Sequence, residues 1–370
     1  MHQKENSLFG LRNKIEKELN EFFDNKIEQA GNQKKPGEFL EMIRNIKIFT
    51  LNGGKRIRSI LFCYGYLIAG GEKKEDILKA SISVELIHSY LLIHDDIIDE
   101  DDFRRHNLSM HHIYEKKYKN RFKNNYKKRR LKAFNENEIK QFGISMAIVT
   151  GDLASSLGYE ILNRSNFSTD LKIKAIKKLN QVVSNTITGE AMDVILAVRQ
   201  KDDSRDILKM QEYKTARYTI EGPLHLGAIL AGADENFLKS ISKFAIPLGI
   251  AFQIQDDIIG VFESKEKTGK PAGGDIKEGK KTFLSTKAFE KADDKQLETL
   301  SGLFGNKNIS PDEIDDFREI IKKTGSLDYS LEKINSLVRS SKAHLEKMKI
   351  SENDKERLLE LADFVAKKKD

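Results

Sequence analysis

Two clusters of aspartates have the residue type and spacing that metal and phosphate chemistry requires. In the first cluster, Asp95 and Asp99 lie four residues apart at the end of an apolar segment, and Asp96 follows Asp95 directly. On a helix, this spacing places Asp95 and Asp99 on one face, with Cβ atoms about 5–6 Å apart. Their oxygens suit Mg²⁺, which usually takes one or two carboxylates together with substrate phosphates. Taken alone, the cluster could also be the solvated, acidic end of a helix.

The second cluster makes the solvated interpretation less favoured. Asp256 and Asp257 follow an apolar segment, and the run Ile254–Gly260 resembles the run Ile93–Asp99 earlier in the chain. Each run ends a segment that is predicted to be an apolar helix. Two helix-borne carboxylate sets that face each other would form a multi-metal clamp for a diphosphate group.

Basic residues near both clusters could supply a phosphate site. A glycine pair at Gly53 and Gly54 is followed by Lys55, Arg56 and Arg58. Backbone amides at a helix start and clustered cations together bind phosphate well, although a basic glycine turn is commonly just a loop. Further cations follow the first cluster and flank a glycine-rich loop after the second, at Arg104, Arg105, Lys270 and Lys280. The combination is more specific than any one of these segments.

The elements that position these residues are predicted to be helices. The chain has five prolines, and none lies between Gly37 and Gly222, whereas helix interiors exclude proline. Apolar residues recur at spacings of three and four, as between Leu8 and Phe23, and alternating strand patterns are hard to find. The remaining predicted helices are Ile77–Asp99, Ile144–Leu162, Leu171–Arg199, Gln211–Ala231, Phe237–Phe262 and Ser351–Lys369. Several are apolar on every face, which predicts one all-α bundle domain over residues 1–370, although length alone mildly favours two domains.

Charge and composition exclude several classes of protein. The net charge is +7, but the segment Glu115–Lys132 alone carries +9, so the rest of the chain is at −2. This distribution does not indicate a generally nucleic-acid-binding surface. No apolar run approaches the roughly 18 residues of a membrane helix, and the N-terminus lacks a secretory pattern. The single cysteine, Cys63, excludes an internal disulfide and a cysteine-based metal site, and it is predicted to be a buried thiol. We expect a cytoplasmic protein.

Five motifs, in order, resemble those of the trans-isoprenyl diphosphate synthases, or polyprenyl synthetases, over about residues 10–300. The motifs are Gly53–Arg58, Asp95–Asp99 followed by Arg104 and Arg105, Lys214–Thr215, Phe252–Asp257, and the loop Gly269–Thr282. The resemblance implies an isoprenoid-synthase helical bundle around a central active-site cavity, and a homodimer. Many members carry a third aspartate where this chain has Gly260. The motif Asp256–Gly260 therefore resembles that of the archaeal-type short-chain enzymes.

The resemblance also implies a role for each matched residue. Mg²⁺ would be held by Asp95, Asp99 and Asp256, with Asp96 and Asp257 as supporting charges. Isopentenyl diphosphate would be bound by Lys55, Arg58, His88 and Arg105. The allylic diphosphate would be bound by Arg104, Lys214, Lys270 and Lys280. Lys214, Thr215 and Gln253 would act in catalysis, the last two placing oxygens near the developing allyl cation. Product length would be set by Tyr90 and Leu91.

The implied function is a prenyltransferase that condenses isopentenyl diphosphate with allylic diphosphates after Mg²⁺-assisted ionisation. Geranylgeranyl diphosphate is the favoured product, and farnesyl or longer polyprenyl diphosphates are alternatives. A terpene cyclase is disfavoured by the paired sites for a second diphosphate. A non-catalytic regulatory subunit usually loses aspartates, and this chain keeps five. A basic nucleic-acid-binding bundle ranks last, and no nucleic-acid partner is expected.

Two segments depart from the family pattern. After Arg105 the chain reads His106 to His111 without the glycine and proline that members usually have, so this loop could pack differently. Residues 116–140 look like a basic insertion, which we expect to be a solvated, partly disordered loop. Peripheral contact with an anionic membrane is the functional alternative, because clustered Lys and Arg favour acidic headgroups.

Overall fold

The computed structural model describes residues 8–32, 37–129, 135–199, 203–262 and 273–366, and most of these residues are helical. The described helices are, in chain order, α1 (Leu8–Gly31), α2 (Glu38–Leu51), α3 (Ile57–Ile68), α4 (Lys74–Ser81), α5 (Ser83–Ile98), α6 (Met110–Arg129), α7 (Glu136–Arg164), α8 (Thr169–Val198), α9 (Ser204–Gln211), a π-helix (Glu212–Glu221), α10 (Gly222–Leu230), α11 (Glu235–Phe262), α12 (Gly274–Glu278), α13 (Phe283–Lys291), α14 (Asp294–Leu303), α15 (Pro311–Lys323), α16 (Ser326–Glu346) and α17 (Glu352–Ala366). Two short strands, β1 (Phe103–Arg104) and β2 (Asn107–Leu108), pair in antiparallel fashion between α5 and α6. The predicted all-α class is confirmed.

Local sequence signals explain where several helices begin. At the start of α7, the side chain of Asn135 accepts a 2.9 Å hydrogen bond from the backbone N–H of Glu138. The Glu138 carboxylate accepts one in return from the backbone N–H of Asn135, at 2.8 Å. The same reciprocal cap joins Ser310 and Glu313 at the start of α15, where Pro311 occupies the first helical position. Such caps satisfy backbone donors that have no partner inside the helix.

The chain divides into two compact units, which are described separately below. The first unit comprises Met1–Cys63 and Lys73–Ile176, and the second comprises Tyr64–Glu72 and Lys177–Asp370. The expectation of a single domain over residues 1–370 stays a prediction.

In the first unit, α5 packs closely along α7. A core cluster that includes Ile93, Tyr114 and Ala147 is fully buried, and the Tyr114 hydroxyl lies 2.9 Å from Oγ1 of Thr150. A Cβ atom at Gly158 of α7 would lie 3.0 Å from the Ile87 side chain of α5. Close approach of the two helices holds the C-terminal end of α5, which carries the first aspartates.

In the second unit, α11 packs against the π-helix and against α16. A Cβ atom at Gly249 of α11 would lie 2.5 Å from Cα of Ala216, so only glycine allows this approach. On the other face of α11, the Ser341 hydroxyl of α16 donates a 2.7 Å hydrogen bond to the carbonyl oxygen of Phe244. Pro223 lies two residues after the end of the π-helix. Because proline has no N–H and its ring clashes with the carbonyl four residues earlier, it disfavours a regular α-helical turn at this point.

Several helix predictions differ from the structure in detail. The segment predicted as Ile77–Asp99 is two helices, α4 and α5, and the segment predicted as Gln211–Ala231 contains the π-helix. The segment predicted as Ile144–Leu162 begins earlier, at the Asn135 cap. α17 ends at Ala366, and the predicted continuation to Lys369 lies outside the described residues.

The expectation of a loop for the basic insertion is wrong for residues 116–129, which belong to α6. Lysine and arginine are good helix formers, and no glycine or proline interrupts this segment. Residues 130–134 lie outside the described residues, and α7 begins at Glu136.

Other predictions from composition have clear outcomes. Cys63 is a free, buried thiol, as predicted, and burial raises its pKa to about 12. The segments Lys74–Ile98 and Glu235–Phe262 are long and apolar enough to pass a simple test for membrane spans, but more than half of each tested window is buried inside the protein. Core helices of a globular protein pass the same test, so these two are weak evidence for a membrane protein.

Candidate active site

In the first unit, predicted cations converge around the loop between α2 and α3. The guanidinium of Arg105 donates from Nη1 to the carbonyl oxygens of Asn52 and Gly53, each at 3.0 Å. Gly53 and Gly54 have φ of +72° and +107°, a backbone conformation that favours glycine. A Cβ atom at Gly54 would lie 3.2 Å from Nη1 of Arg105, so the second glycine also leaves room for this guanidinium.

The same loop leads into α3, where Arg58 contacts α5. Nη1 of Arg58 lies 3.2 Å from Nε2 of His88. Lys55 is exposed and lies in the loop before α3. The structure therefore brings together Arg58, His88 and Arg105, three of the four residues predicted to bind isopentenyl diphosphate, and places Lys55 in the same loop.

This cation cluster has the electrostatics of an anion site. Burial and the neighbouring arginines, Arg58 foremost, hold the pKa of His88 well below its usual range. Burial and the nearby Arg56 likewise lower the pKa of Arg105. Cations that depress one another's pKa gain from a bound anion, because the anion relieves their mutual repulsion.

The first aspartate cluster lies at the C-terminal end of α5. Carboxylate oxygens of Asp95 and Asp99 lie within 4.8 Å of each other, as the predicted spacing requires. Asp96, next to Asp95, is completely buried. Its carboxylate accepts a 2.6 Å hydrogen bond from Nε of Arg104, whose Nη2 also reaches Asp95 at 3.2 Å. Burial raises the pKa of Asp96 to about 6, although Arg104 acts in the opposite direction.

In the second unit, a small cavity of about 60 Å³ gathers most of the predicted residues of that half of the chain. Five residues that were predicted from the sequence line this cavity: Lys214, Thr215, Gln253, Asp257 and Lys280. The other lining residues are Asp193, Met210, Gln211, Lys281 and Thr282. The π-helix carries Lys214 and Thr215, and α11 carries Gln253 and Asp257.

Lys214 is held by two carboxylates on α8. Its Nζ lies 2.7 Å from Oδ2 of Asp193 and 2.8 Å from Oε2 of Glu190. A Cβ atom at Gly189 would lie 2.3 Å from the backbone nitrogen of Lys214, so glycine is required for this approach. The two carboxylates therefore fix the position of the Lys214 side chain.

A chain of hydrogen bonds links the other polar residues of this cavity. The Thr215 hydroxyl donates to Oε1 of Gln253 at 2.8 Å, and Nε2 of Gln253 donates to Oδ1 of Asp257 at 2.9 Å. Nε2 of Gln211 donates to the other oxygen of Asp257 at 2.7 Å. Burial raises the pKa of Asp257 to about 7. The chain fixes which end of the Gln253 amide faces Thr215.

The remaining predicted residues are placed as follows. Asp256 is exposed on α11, next to the buried Asp257. Lys270 lies outside the described residues. Tyr90 and Leu91 are half-buried on α5, and the Tyr90 ring meets the His94 ring edge-on with centroids 4.8 Å apart.

The motifs did not indicate three polar residues of the second unit. Glu190 and Asp193 are three residues apart on a predicted helix, and this spacing is a signal that could have indicated a shared face. Gln211 has neither charge nor a motif, and its importance follows only from its burial beside Asp257. None of the three entered the predicted site.

The donor pair at the end of α5 suits Mg²⁺. Asp95 and Asp99 offer hard oxygen ligands within reach of one ion. Magnesium binds through one or two carboxylates and keeps positions for water and substrate phosphates.

Comparison with known proteins gives a consistent assignment. Residues 40–321 match the family model for polyprenyl synthetase. A geranylgeranyl pyrophosphate synthase of Geoglobus acetivorans is 30% identical over 351 residues, which are 95% of this chain and 97% of that protein. A geranylfarnesyl diphosphate synthase of Natronomonas pharaonis is 27% identical over 359 residues, which are 92% of this chain and 94% of that protein.

One solved structure is similar over nearly the whole chain. It is the geranylgeranyl pyrophosphate synthase from Corynebacterium glutamicum complexed with isoprenyl diphosphate and magnesium. Its TM-score is 0.86 at 30% sequence identity, and the match covers 98% of this chain and 99% of that one.

Proposed function

The chain belongs to the polyprenyl synthetase family, and on that basis we propose that it joins isopentenyl diphosphate to allylic diphosphates and releases geranylgeranyl diphosphate. The all-α isoprenoid-synthase fold and the prenyltransferase class are the parts of this assignment that the comparisons establish. The particular substrates, the product length and the residue roles are the proposal.

One observation supports a reaction between two diphosphates. His88, in the cation cluster, and Asp95, in the aspartate cluster, are seven residues apart on α5 and so share a face of the helix. At a rise of 1.5 Å per residue, they are about 10 Å apart along the axis. A cation site and a carboxylate site at this separation suit two diphosphate groups whose hydrocarbon ends must meet, whereas a cyclase needs only one such group.

In the proposed mechanism, two sets of cations each hold one diphosphate. Lys55, Arg58 and Arg105 bind isopentenyl diphosphate, with the neutral His88 as a hydrogen-bonding partner. Lys214 and Lys280, together with Arg104, bind the allylic diphosphate. Interactions that strengthen as negative charge collects on the departing diphosphate lower the barrier to ionisation. Mg²⁺, held by Asp95, Asp99 and Asp256, would supply Lewis-acid stabilisation of that leaving group.

Oxygen dipoles then stabilise the allyl cation. The carbon–oxygen bond to diphosphate breaks first, and the cation that remains faces the oxygens of Thr215 and Gln253. Their hydrogen bond to each other, and the bond from Gln253 to Asp257, keep them in place without reorganisation during the reaction. The double bond of isopentenyl diphosphate attacks the cation, and a carbon–carbon bond forms. The new carbocation then loses a proton to the released diphosphate and becomes the double bond of the product.

Two observations favour an active enzyme over a non-catalytic subunit. The two clusters keep five aspartates, Asp95, Asp96, Asp99, Asp256 and Asp257, and two carboxylates of α8 hold the Lys214 side chain in place. Purified chain alone, incubated with isopentenyl diphosphate and each of dimethylallyl, geranyl and farnesyl diphosphate, tests the proposal. Geranylgeranyl diphosphate from all three starters is the expected result. No condensation in the absence of a second protein would support the subunit instead.

Product length is proposed from Tyr90 and Leu91. Tyr90 lies five residues before Asp95, about 7.5 Å down the helix, and in the family a bulky aromatic at this place limits the growing chain. Leu91, where a second aromatic would shorten the product, leaves room for more than a farnesyl chain. Relatives of this chain include synthases named for geranylgeranyl and for geranylfarnesyl products.

We also propose a cytoplasmic homodimer. In the second unit, α8 exposes a stripe of apolar residues, at Ile187, Val194, Ile195 and Val198. A stripe of this kind suits burial against a second copy. Light scattering of the purified chain at twice the monomer mass is the expected result.

Peripheral membrane contact through residues 116–140 is the remaining partner proposal. The segment Glu115–Lys132 carries +9, and each cation near an anionic surface contributes about 1 kcal/mol. Sedimentation with anionic vesicles, but not with neutral ones, is the expected result. Deletion of residues 116–140 should abolish this binding.

A further inference from the structure

A buried ion pair joins the loop that carries Lys55 to helix α5. Nη1 of Arg56 donates to Oε2 of Glu85 at 3.2 Å, and Nε donates to Oε1 of Glu16 on α1 at 2.7 Å. Arg56 and Glu85 are each 4% exposed. Charged side chains are almost never buried to this extent unless they are paired, and breaking such a pair is strongly destabilising. The pair therefore restrains the segments that it joins.

The backbone of this loop is strained at Arg56. Arg56 has φ of +54°, and the glycines at positions 53 and 54 also have positive φ. An arginine in this conformation is strained, and such strain persists only where the surroundings over-determine it. The two carboxylates on the Arg56 guanidinium provide that restraint.

The same carboxylate also holds the start of α3. Oε1 of Glu85 accepts hydrogen bonds from the backbone N–H and the hydroxyl of Ser59, at 3.3 and 3.1 Å. Ser59 is completely buried and follows Arg58 directly. Glu85 thus fixes the chain on both sides of Arg58, through Arg56 before it and through Ser59 after it.

Glu85 and His88 lie three residues apart and share a face of α5. Arg56 contacts the first of them, and Arg58 contacts the second. A shift of the loop along α5 would therefore change the buried ion pair and the cation cluster together.

The charges of the pair also affect the cation cluster. Burial alone would lower the pKa of Arg56, but the carboxylates of Glu85 and Glu16 raise it above its ordinary value. Burial and the charge of Arg56 lower the pKa of Arg105, and Glu85 opposes that change. Glu85 therefore offsets repulsion among arginines that must stay close together before an anion binds.

We propose that Glu85, acting through Arg56 and Ser59, is a positioning residue for isopentenyl diphosphate. It holds Lys55 and Arg58 where the diphosphate will bind, while its own carboxylate stays in the interior and does not touch substrate. This inference rests on the function proposed above, because it takes the cation cluster as the isopentenyl diphosphate site.

The test uses Glu85→Gln, which keeps the side-chain size and one oxygen acceptor but removes the charge. We expect the KM for isopentenyl diphosphate to rise about tenfold, because small displacements of binding groups are costly. The kcat and the KM for the allylic partner should stay within about twofold. Arg56→Gln should raise the same KM by a similar factor. The double variant should raise it no further than the single variants do, because the two residues act as a unit.

Glu160→Gln is the matched control in the same unit. It breaks the 2.7 Å ion pair between Glu160 and Lys26, which lies outside the cation cluster, and it should leave all three constants unchanged. If Glu85→Gln does not yield folded protein, Glu16→Gln is the second variant. It removes the charge of the partly exposed carboxylate that contacts Nε of Arg56, and the same rise in the KM for isopentenyl diphosphate is expected.

Three outcomes would overturn the inference. They are an unchanged KM for isopentenyl diphosphate in the folded variant, equal changes in both KM values, and the same change in Glu160→Gln. Activity of the unmodified chain separates the two proposals. If the unmodified chain does not condense the substrates, the proposed function itself is wrong, whereas normal condensation with an unchanged KM in the variant removes only the positioning role.

Discussion

The side-chain amide of Gln211 donates a 2.7 Å hydrogen bond to Oδ2 of Asp257, and both side chains are almost fully buried. Gln253 occupies the other oxygen of the same carboxylate. A buried carboxylate needs such donors, because an unpaired oxygen in the interior is costly. Gln211 therefore supports the position of the Gln253 amide indirectly, through Asp257.

Gln211→Leu is expected to lower kcat about tenfold and to leave both KM values within about twofold. Loss of one hydrogen bond to a buried carboxylate is worth about 1–3 kcal/mol, and it frees Asp257 and Gln253 to move away from the reacting cation. Steady-state kinetics with both substrates measures the effect. Gln181→Leu, on an exposed face of α8, is the matched control. Equal kcat in the two variants would rule out a role for Gln211.

Asp257 is expected to make the free energy of unfolding fall as pH rises. Burial raises the pKa of this carboxyl to about 7 from an ordinary value of 3.8. Between these values the folded state keeps a proton that the unfolded state has lost, so the group stabilises the fold more at pH 5 than at pH 7.5.

Asp257→Asn removes this dependence. The free energy of unfolding of the variant minus that of the unmodified chain should be more positive at pH 7.5 than at pH 5. Urea unfolding at both pH values, with chelator present, measures it. Asp96, with its raised pKa, and His225, whose pKa burial lowers to about 4, titrate in both proteins and cancel in the difference. A difference that does not vary with pH would contradict the prediction.

Removal of the metal is expected to abolish turnover. Chelation by EDTA should stop the reaction and Mg²⁺ should restore it, because an uncompensated diphosphate is a poor leaving group. Asp95→Ala and Asp256→Ala should each lower kcat by several orders of magnitude. Asp312→Ala, at an exposed position of α15, is the control. Near-normal activity of either active-site variant would refute the carboxylate clamp.

Arg58→Ala is expected to raise the KM for isopentenyl diphosphate much more than the KM for the allylic substrate. The variant loses charge-assisted hydrogen bonds worth about 1.5–3 kcal/mol, or roughly 10- to 150-fold. Lys55→Ala should act in the same direction. The exposed Arg44 of α2 offers the control Arg44→Ala. A larger rise in the allylic KM would reverse the assignment of the two diphosphate sites.

Tyr90→Ala is expected to yield products longer than geranylgeranyl diphosphate. The change removes a half-buried ring that packs edge-on against His94, and it opens space toward Leu86 on α5. Leu91→Phe should shorten the product toward farnesyl diphosphate. Chromatography of the dephosphorylated alcohols measures both. An unchanged product distribution in active Tyr90→Ala protein would show that this residue does not set length.

The helical class of this protein could be predicted from proline placement and apolar spacing, because both act locally. The π-helix could not be predicted in this way. Glu212–Glu221 has ordinary helical composition. Its wide turns occur where Ala216 packs against Gly249 of α11, and Pro223 lies shortly after the segment. The helical state of residues 116–129 was missed for a different reason. Dense positive charge favours a solvated loop, but lysine and arginine also favour helices.

Some residues of the candidate site could likewise be predicted from local spacing, and others depend on tertiary contacts. Asp95 and Asp99 could be placed on one face from their spacing alone. The convergence of Arg105 on the loop at Gly53 depends on contacts between segments about 50 residues apart, so only the family resemblance indicated it. Gln211 and Glu85 carry no motif, and their roles depend on burial beside particular charges, which local sequence does not encode.

The π-helix imposes a constraint on chain length as well as on residue type. Deletion of one residue between Glu212 and Glu221 would let the segment return to ordinary α-helical pairing with little loss of backbone hydrogen bonds. The same deletion would rotate Lys214 away from Glu190 and Asp193, and Thr215 away from Gln253. An alteration that is nearly silent for folding would thus disassemble the site, so this segment should tolerate substitutions at its outer positions far better than any change in its number of residues.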